Sequence, residues 1–580
     1  MRTPDLHQPR AATRTMAMRG RKPMHPHLTA LLALSVALTS ASGCGDRAAA
    51  WNFDASSTSA FALTDAVAVS DPAADRVLLL TTDPQLRLYT KVVPTQRGAR
   101  TVMVAPDRTK LFVVSQGDGD SRPPDGEPVQ GAALEIITRA EPLKRYPLSE
   151  PFAGLALDPR GEWAVVYADA TSQALVRNPN ELVLVNLKQD PAPGQNPLPV
   201  TLRSFGGRPQ RFTFSDELNL PGGRGRLLIV ETEQDVAILD LRHPTAEEIT
   251  IQLTSGQDTR RLQPAGVVVS EGAPDATDDA RIAIRLGNDS TIIMAQLVPD
   301  SARDFRPELN LTDVGGVPGD AAFVRTDGGA LKLAVLVPGR SKAVLIDPAT
   351  SLVVDVPLPA PYTRLSLVTD QVAPVPGGTT GGVTVDVALL WNATASSTGA
   401  GGVSFWELGR TAGQPYRSVE TVGVTSGVTA VVDVAGAHPE LKILGTNSAA
   451  FFLLDLRSRT SSPFLTSANV TLTPSVLGTR AWAHLPGTIQ LSTIDLVSLH
   501  PERMQLDRPA TAVFEIAAVE GAPPQTGARS LVVWHQAGNL GATIYDANAD
   551  GTGQNGDEGD IDERRNYSSI LTGEAHAPAP

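Results

Sequence analysis

An all-β fold assembled from repeated four-stranded antiparallel units is what this sequence predicts. Three observations carry the prediction. Beyond Ala60 no sustained 3.6-residue apolar period appears. Short β-branched and Leu-rich runs recur instead, separated by Gly, Pro, Asp and Asn. Those runs fall into two kinds of piece, which return at roughly 40 to 60 residues per unit.

The first piece is a strand, an Asp-centred turn and a second apolar strand. It reads VAVSDPAADRVLLL at Val67–Leu80, VMVAPDRTKLFVV at Val102–Val114, LALDPRGEWAVV at Leu155–Val166 and FVRTDGGALKLAV at Phe323–Val335. A weaker copy, FTFSDELNL, begins at Phe212. Asp suits the turn because its carboxylate accepts hydrogen bonds from its own downstream backbone. The second piece is a strand that ends in Asp or Asn. It reads LVLVNL at Leu182–Leu187, VAILDL at Val236–Leu241, AVLIDP at Ala343–Pro348, FFLLDL at Phe451–Leu456 and ATIYDA at Ala542–Ala547. Further strands are expected at Ile249–Leu253, Leu352–Leu358 and Arg565–Leu571.

A strand–turn–strand piece followed by a third and a fourth strand makes a propeller blade, so a single β-propeller is expected. About nine or ten loose units are countable between Phe61 and Gly573, with Asp118–Gln130 and Pro374–Thr384 read as insertions or half-units. A ring of seven or eight blades is preferred on the usual size range of propellers. Two β-sandwich domains are the competing architecture; they call for a linker near the middle of the chain, and no long one is present. Trp163, Trp391 and Trp534 lie in or at the end of apolar strands and are expected to pack between blades. The turn Ala105–Val114 (APDRTKLFVV) resembles the S-P-D-G-x-x-L-Y-V turn of YVTN-type and WD40-like bacterial β-propellers. The WD dipeptide of true WD40 repeats is absent. The resemblance implies a fold and no particular activity.

The N-terminus has a different character. Arg19, Arg21 and Lys22 precede an apolar run, Leu28 to Leu38 (LTALLALSVAL), and the small residues Ala41, Ser42 and Gly43 lead into Cys44. Basic, apolar and small-residue regions in that order make a secretory signal. The run is shorter than the roughly 20 residues of a membrane span. Met16, Met18 and Met24 are alternative starts. The tail A-S-G-C resembles the lipobox of bacterial lipoproteins, with Ala41 where that family prefers Leu. The resemblance implies that the signal, residues 1–43, is removed and that Cys44 becomes the lipid-modified first residue of the mature chain. Residues 44–60 then form a lipidated Cys and flexible tether, and residues 61–580 the propeller. The implied location is the cell envelope, periplasmic or facing outward, with the membrane engaged through the lipid anchor.

Composition removes several classes of function. Of the 580 residues one is Cys, which excludes an internal disulfide, a CxxC redox pair and a Cys-rich zinc site. The formal charge is −13. Removal of residues 1–43 takes six of the 49 basic residues and one of the 62 acidic residues, which leaves −18. That balance argues against nucleic acid as a partner. The histidines beyond the signal are His243, His438, His484, His500, His535 and His576; no two share zinc-ligand spacing. No G-x-S-x-G elbow or Walker loop occurs, and the tryptophans fall at uneven places in the units, unlike the regular tryptophan of quinone-binding propellers. A literal G-x-G-x-x-G at Gly551, Gly553 and Gly556 lies in an acidic stretch without a helical pattern after it.

That acidic loop, residues 546–563, is the sharpest local signal. Asp546, Asn548, Asp550, Thr552, Gln554 and Asp557 stand at alternating positions, in a D-x-N-x-D-G pattern with an acid at position twelve. Calcium needs six to eight oxygens, which alternate residues of a tight loop supply. The spacing resembles calcium loops of EF-hands and thrombospondin type 3 repeats. Here Gly553 stands at position eight and no amphipathic helix flanks the loop. Two readings stand side by side: a calcium site, or a solvated inter-strand loop. Asp546 holds the same repeat position as Asp240, Asp347 and Asp455, which leaves Asn548, Asp550 and Asp557 as surplus.

The expected function is a non-enzymatic binding or scaffold module for a protein or glycan partner, with no catalytic residues assigned. The alternative is a lactonase-like hydrolase with a metal in the central channel. If the loop takes calcium, the ion raises the melting temperature in step with its concentration, and Asp550→Ala abolishes that rise. A wild-type melting curve indifferent to both calcium and chelator refutes the site.

Overall fold

A computed structural model describes residues 58–118, 128–172, 176–203, 207–253, 262–270, 280–301, 303–325, 330–373, 383–393, 401–411, 414–416, 420–424, 427–434, 436, 438–446, 450–466, 470–519, 527–536, 540–547, 564–567 and 570. Residues 1–57, which include Cys44 and the segments read above as signal and tether, and residues 548–563 of the acidic loop lie outside the described residues.

Among the described residues the strands make eleven sheets: ten are blades of antiparallel neighbours, and one is a separate two-stranded ribbon. The blades span residues 59–94, 99–147, 154–201, 211–252, 264–313, 321–357, 364–424, 428–466, 471–505 and 512–567. They form a ring, a ten-bladed β-propeller. Its blade number is the upper count of units legible in the sequence, above the seven or eight that the general size range favours. Nine blades have four strands; in blade 7 the outer position is shared by Gln414–Tyr416 and Glu420–Val424, both paired to Gly401–Thr411.

The two inner strands of each blade carry the core. Val67–Asp71, Leu111–Ser115, Ala133–Ile137 and Leu227–Glu231 are buried at every residue. A strand covered on both faces cannot alternate apolar with polar, which is why these segments read as unbroken apolar runs. The fourth strands face solvent, as in Pro501–Gln505. The first strands of blades 1 and 10, 2 and 3, 5 and 6, and 6 and 7 lie beside one another toward the centre of the ring. Because strands within a blade alternate in direction, the turns joining strands 1–2 and 3–4 emerge on one face, and those joining 2–3 and 4–1 on the other.

The Asp-turn pieces mostly join first and second strands, as expected. Asp158 accepts from the backbone N–H groups of Arg160 (3.1 Å) and Glu162 (3.2 Å), and Asp107 accepts from that of Thr109 (3.0 Å). Two copies are placed differently. Val67–Leu80 pairs the second and third strands of blade 1, because a short first strand, Ser59–Ala62, precedes it. In the Phe212 copy, Leu218–Leu220 does not join the blade. It pairs with Gly223–Gly225 as a separate two-stranded ribbon, and the second strand of blade 4 starts only at Leu227.

Blades 1 and 10 meet without exchanging a strand, since each is built of consecutive segments. Their seam is apolar: Val67, Val69, Leu78 and Leu80 pack against Ile516, Val532, Trp534 and Ile544. Hydrogen bonds pin its edges. The Tyr567 hydroxyl accepts from the Leu88 N–H (3.1 Å) and donates to the Leu86 carbonyl (3.0 Å). The Thr82 hydroxyl donates to Ser530 Oγ (2.8 Å), and the Gln536 amide donates to the Thr58 carbonyl (3.1 Å).

Charge also enters a seam. The Arg226 guanidinium of blade 4 donates to both oxygens of Asp158 in blade 3, at 2.6 Å each, and to Glu162 at 2.9 Å. Burial alone pushes the Asp158 carboxyl up, but the Arg226 fork and the two turn N–H groups outweigh it and hold it below the usual carboxylate range. Asp158 has no solvent exposure, so removing Arg226 strands a buried charge. Arg226→Ala is expected to cost about 3–5 kcal/mol of unfolding free energy, read by urea denaturation at pH 7. A folded pKa below the unfolded one gives stability that is present above the unfolded value and lost as pH falls through the folded one. The gap between wild type and variant therefore narrows in acid. A loss below about 1 kcal/mol would place the pair in the class of exposed bridges.

Candidate functional site

The third strands end in a repeated device. Asp347 accepts from the N–H groups of Ala349 (2.8 Å) and Thr350 (3.0 Å), Asp455 from Arg457 (2.8 Å), Asp495 from Val497 (3.0 Å) and Ser498 (2.6 Å), and Asp240 from Arg242 (2.9 Å). Each carboxylate closes the turn into the fourth strand. Burial works against ionisation of Asp347 and Asp495, but these N–H donors, with Lys332 beside Asp347 and the Ser498 hydroxyl beside Asp495, hold both carboxyls below the ordinary value.

Asp546 occupies this position in blade 10, at the end of the strand Gly541–Asp546 and opposite Ser530. Asn548, Asp550, Thr552, Gln554 and Asp557 lie outside the described residues, as does Cys44. Among the described residues, no three His, Cys, Asp or Glu side chains come together as a metal site.

Two of the histidines are core residues. His535 sits between the Pro509 carbonyl (2.9 Å) and Thr543 Oγ1 (2.8 Å), and His484 reaches the Thr511 carbonyl (3.3 Å). Burial depresses the pKa of both rings. His500 is exposed, and His438 lies 3.3 Å from Glu440.

His243 belongs to a cleft of about 400 Å³ between blades 4 and 5, on the face of the 3–4 turns. Its floor is apolar: Phe305, 3% exposed, with Ile238 and Ile249. Its rim is charged. Glu247 binds two guanidiniums, Arg203 at 2.8 Å and Arg303 at 3.0 Å, and His243 Nε2 lies 3.6 Å from Asp304. The extra ribbon of blade 4 is tied to the turn that carries His243. Arg242, paired with Asp240 at 2.6 Å, donates to the Gly223 carbonyl (2.9 Å) and the Pro221 carbonyl (3.3 Å). Gly225 lets this side chain lie flat on the ribbon, since a Cβ there would fall 2.4 Å from Arg242 Cδ. Mixed charge around an aromatic floor suits a ligand with an apolar body and both donors and acceptors at its edge. No local sequence signal marks the cleft: its residues come from two turns about 60 positions apart, each of ordinary loop composition.

Comparison with known proteins adds a loose likeness. No family model and no curated protein matches the chain. Among solved structures, the chain is similar to dihydro-heme d1 dehydrogenase NirN in complex with DHE, at 15% identity over 72% of this chain and 77% of that one, with a TM-score of 0.40. Saccharomyces cerevisiae Sqt1 gives 13% identity over 68% and 94%, with a TM-score of 0.37. The WD40 domain of SCAP from fission yeast gives 11% over 67% and 93%, with a TM-score of 0.35. Similarity at this level carries no inference about activity; the propeller is established by the sheets themselves.

The turn device is open to a direct test. Asp495→Ala removes the acceptor of two backbone N–H groups and is expected to cost about 1 kcal/mol, whereas Asp495→Asn keeps an acceptor oxygen and costs less. Equal losses in denaturant titrations of the two variants would assign the effect to charge instead of turn geometry.

Proposed function

We propose that the chain is a membrane-anchored, extracytoplasmic propeller lipoprotein that binds a protein or glycan partner through its loop faces. The observation that carries this reading is the blade 4–5 cleft: a recess with an apolar floor and a charged rim, set on a scaffold whose inner strands are buried. Rigid strands beneath variable turns are a general arrangement for recognition. The A-S-G-C tail supports attachment to a membrane through Cys44, with residues 45–58 as the tether between the lipid and the first blade strand. Calcium belongs to the proposal through Asn548, Asp550 and Asp557, the oxygen donors that the repeated turn device does not use.

A channel hydrolase has less support. Such an enzyme needs acids, histidines or amides converging around the centre of the ring. The described first strands supply mainly Ala, Val, Leu, Phe and Thr there, in segments such as Ser59–Ala62, Pro264–Val269 and Thr471–Pro474.

Two measurements test the proposal. Cys44→Ala is expected to shift the protein from the membrane fraction to the soluble fraction; unchanged membrane attachment refutes lipidation. A photo-reactive residue at position 243 is expected to cross-link one defined envelope protein or glycan, and Arg303→Glu to abolish that product. A cross-linking pattern that the rim substitution leaves unaltered refutes the cleft as the contact.

A further inference from the structure

The opposite face holds a second feature, independent of the cleft and of the anchor. Three arginines from three blades gather near the starts of the first strands. Arg211 opens the first strand of blade 4, and Arg364 opens that of blade 7. Arg285 stands near the end of the second strand of blade 5, which reaches the same face.

Two of the three are held in place by the ring itself. Arg211 donates to the carbonyls of Ala265 and Pro264 in blade 5, at 3.0 Å each, and pairs with Glu231 at 2.9 Å. Arg285 donates to the Gly319 carbonyl at the entry to blade 6 and lies 3.7 Å from Asp320. Its side chain is 12% exposed, and its buried Nε has no hydrogen-bond partner among the described residues. Gly266 makes the space for it, because a Cβ there would fall 2.3 Å from Arg285 Nη2. Arg364 differs: it is exposed, and its guanidinium makes no hydrogen bond or ion pair among the described residues.

The counter-charges do not balance this arc. Asp320 is already engaged by the N–H groups of Ala321 and Leu365, both at 3.1 Å, and Glu231 is buried. Burial raises the pKa of Glu231 more than its arginine neighbours lower it. Burial also depresses Arg285; Asp320 and Glu231 act against that shift, and Arg211 and Arg364 act with it. Elsewhere around this mouth the exposed first-strand starts are hydroxyl residues or another arginine: Ser59, Arg100, Thr429 and Thr471. Three guanidiniums thus stand against two carboxylates, both already engaged, and this local excess of positive charge in a strongly acidic chain favours an anion.

We propose that the arc of Arg211, Arg285 and Arg364 on the 4–1 turn face is a binding site for the oxyanion group of a small ligand, a phosphate or a polycarboxylate. Guanidiniums suit it because each presents a planar fork of donors to such oxygens. Arg211 and Arg285 are preorganised by the backbone carbonyls, and Arg364 is the arm free to close on the ligand.

The test is calorimetric titration of the full-length chain with inorganic phosphate and, separately, with citrate, in chloride buffer at constant ionic strength. Saturable binding of at least one of them is expected; which one binds assigns the ligand to phosphate or to polycarboxylate chemistry. Arg364→Ala breaks no hydrogen bond or ion pair among the described residues and is expected to weaken binding about tenfold, the equivalent of one charge-assisted hydrogen bond. Gly266→Ala, which displaces Arg285, weakens it by a separate route. Arg306→Ala, on the outer strand of blade 5 and paired with Glu308, leaves it unchanged. Absence of saturable binding for both anions overturns the site, and so does an affinity that Arg364→Ala does not alter.

Discussion

The apolar seam between adjacent blades is the interaction on which everything else in this protein depends. A blade here is a small twisted sheet whose inner strands are apolar on both faces. Leu78 and Leu80 face the blade 1–10 seam, whereas Val77 and Leu79 on the same strand face the seam with blade 2. Such a sheet cannot bury itself and needs a neighbour on each side. A row of blades would leave two raw faces. The ring leaves none, and the seam between blades 1 and 10 supplies the last cover. It does so by packing and edge hydrogen bonds instead of a shared strand, so Trp534 and Tyr567 do at this seam what a swapped strand would otherwise do.

Several of the charges admitted to the seams are closely engaged. Asp158 meets a bidentate guanidinium and two N–H groups. Glu135, with no exposure, accepts from the Gln96 N–H, the Ser115 hydroxyl and Arg145. Glu407 meets Arg459, whose guanidinium also lies 5.3 Å from the Phe405 ring centroid. An unpaired charge in such a place costs several kcal/mol, whereas a satisfied one fixes how two blades register. Against that background stand Arg364, exposed and without a hydrogen bond or ion pair among the described residues, and the cleft at blades 4 and 5, a rim where several charges meet around open space.

Much of the fold was legible because local rules write it. The Asp turns at Asp107 and Asp158 and the strand-end aspartates at 240, 347 and 455 are each decided within a few residues. What failed was phase and number. Val67–Leu80 has the spelling of a first and second strand, but whether Ser59–Ala62 pairs in front of it is a long-range matter. Leu218–Leu220 has the pattern of a strand, yet Gly222 and Gly223 fold it back on itself before it can join blade 4. Trp534 was legible as a packing residue and is 1% exposed. Trp406, equally buried, was not singled out, because burial there comes from blade 6 and not from its own strand. The cleft and the arginine arc were illegible for the same reason: each is assembled across blades, at separations a linear reading does not join.

The same distinction bears on the acidic loop. Its first residue, Asp546, ends a third strand, and at four comparable ends an aspartate is engaged in closing a turn onto the chain just beyond it. A carboxylate that accepts one or two N–H groups still has lone pairs to offer, so the turn role and a ligand role are compatible in principle. What changes is the meaning of the motif. The Asp at its first position follows from the repeat alone, as it does at Asp240 and Asp455, where no acidic run comes after. The part of the sequence that calls for a separate explanation is therefore shorter than the motif: it begins at Asn548, and its oxygens must be judged without the residue that first drew attention to it.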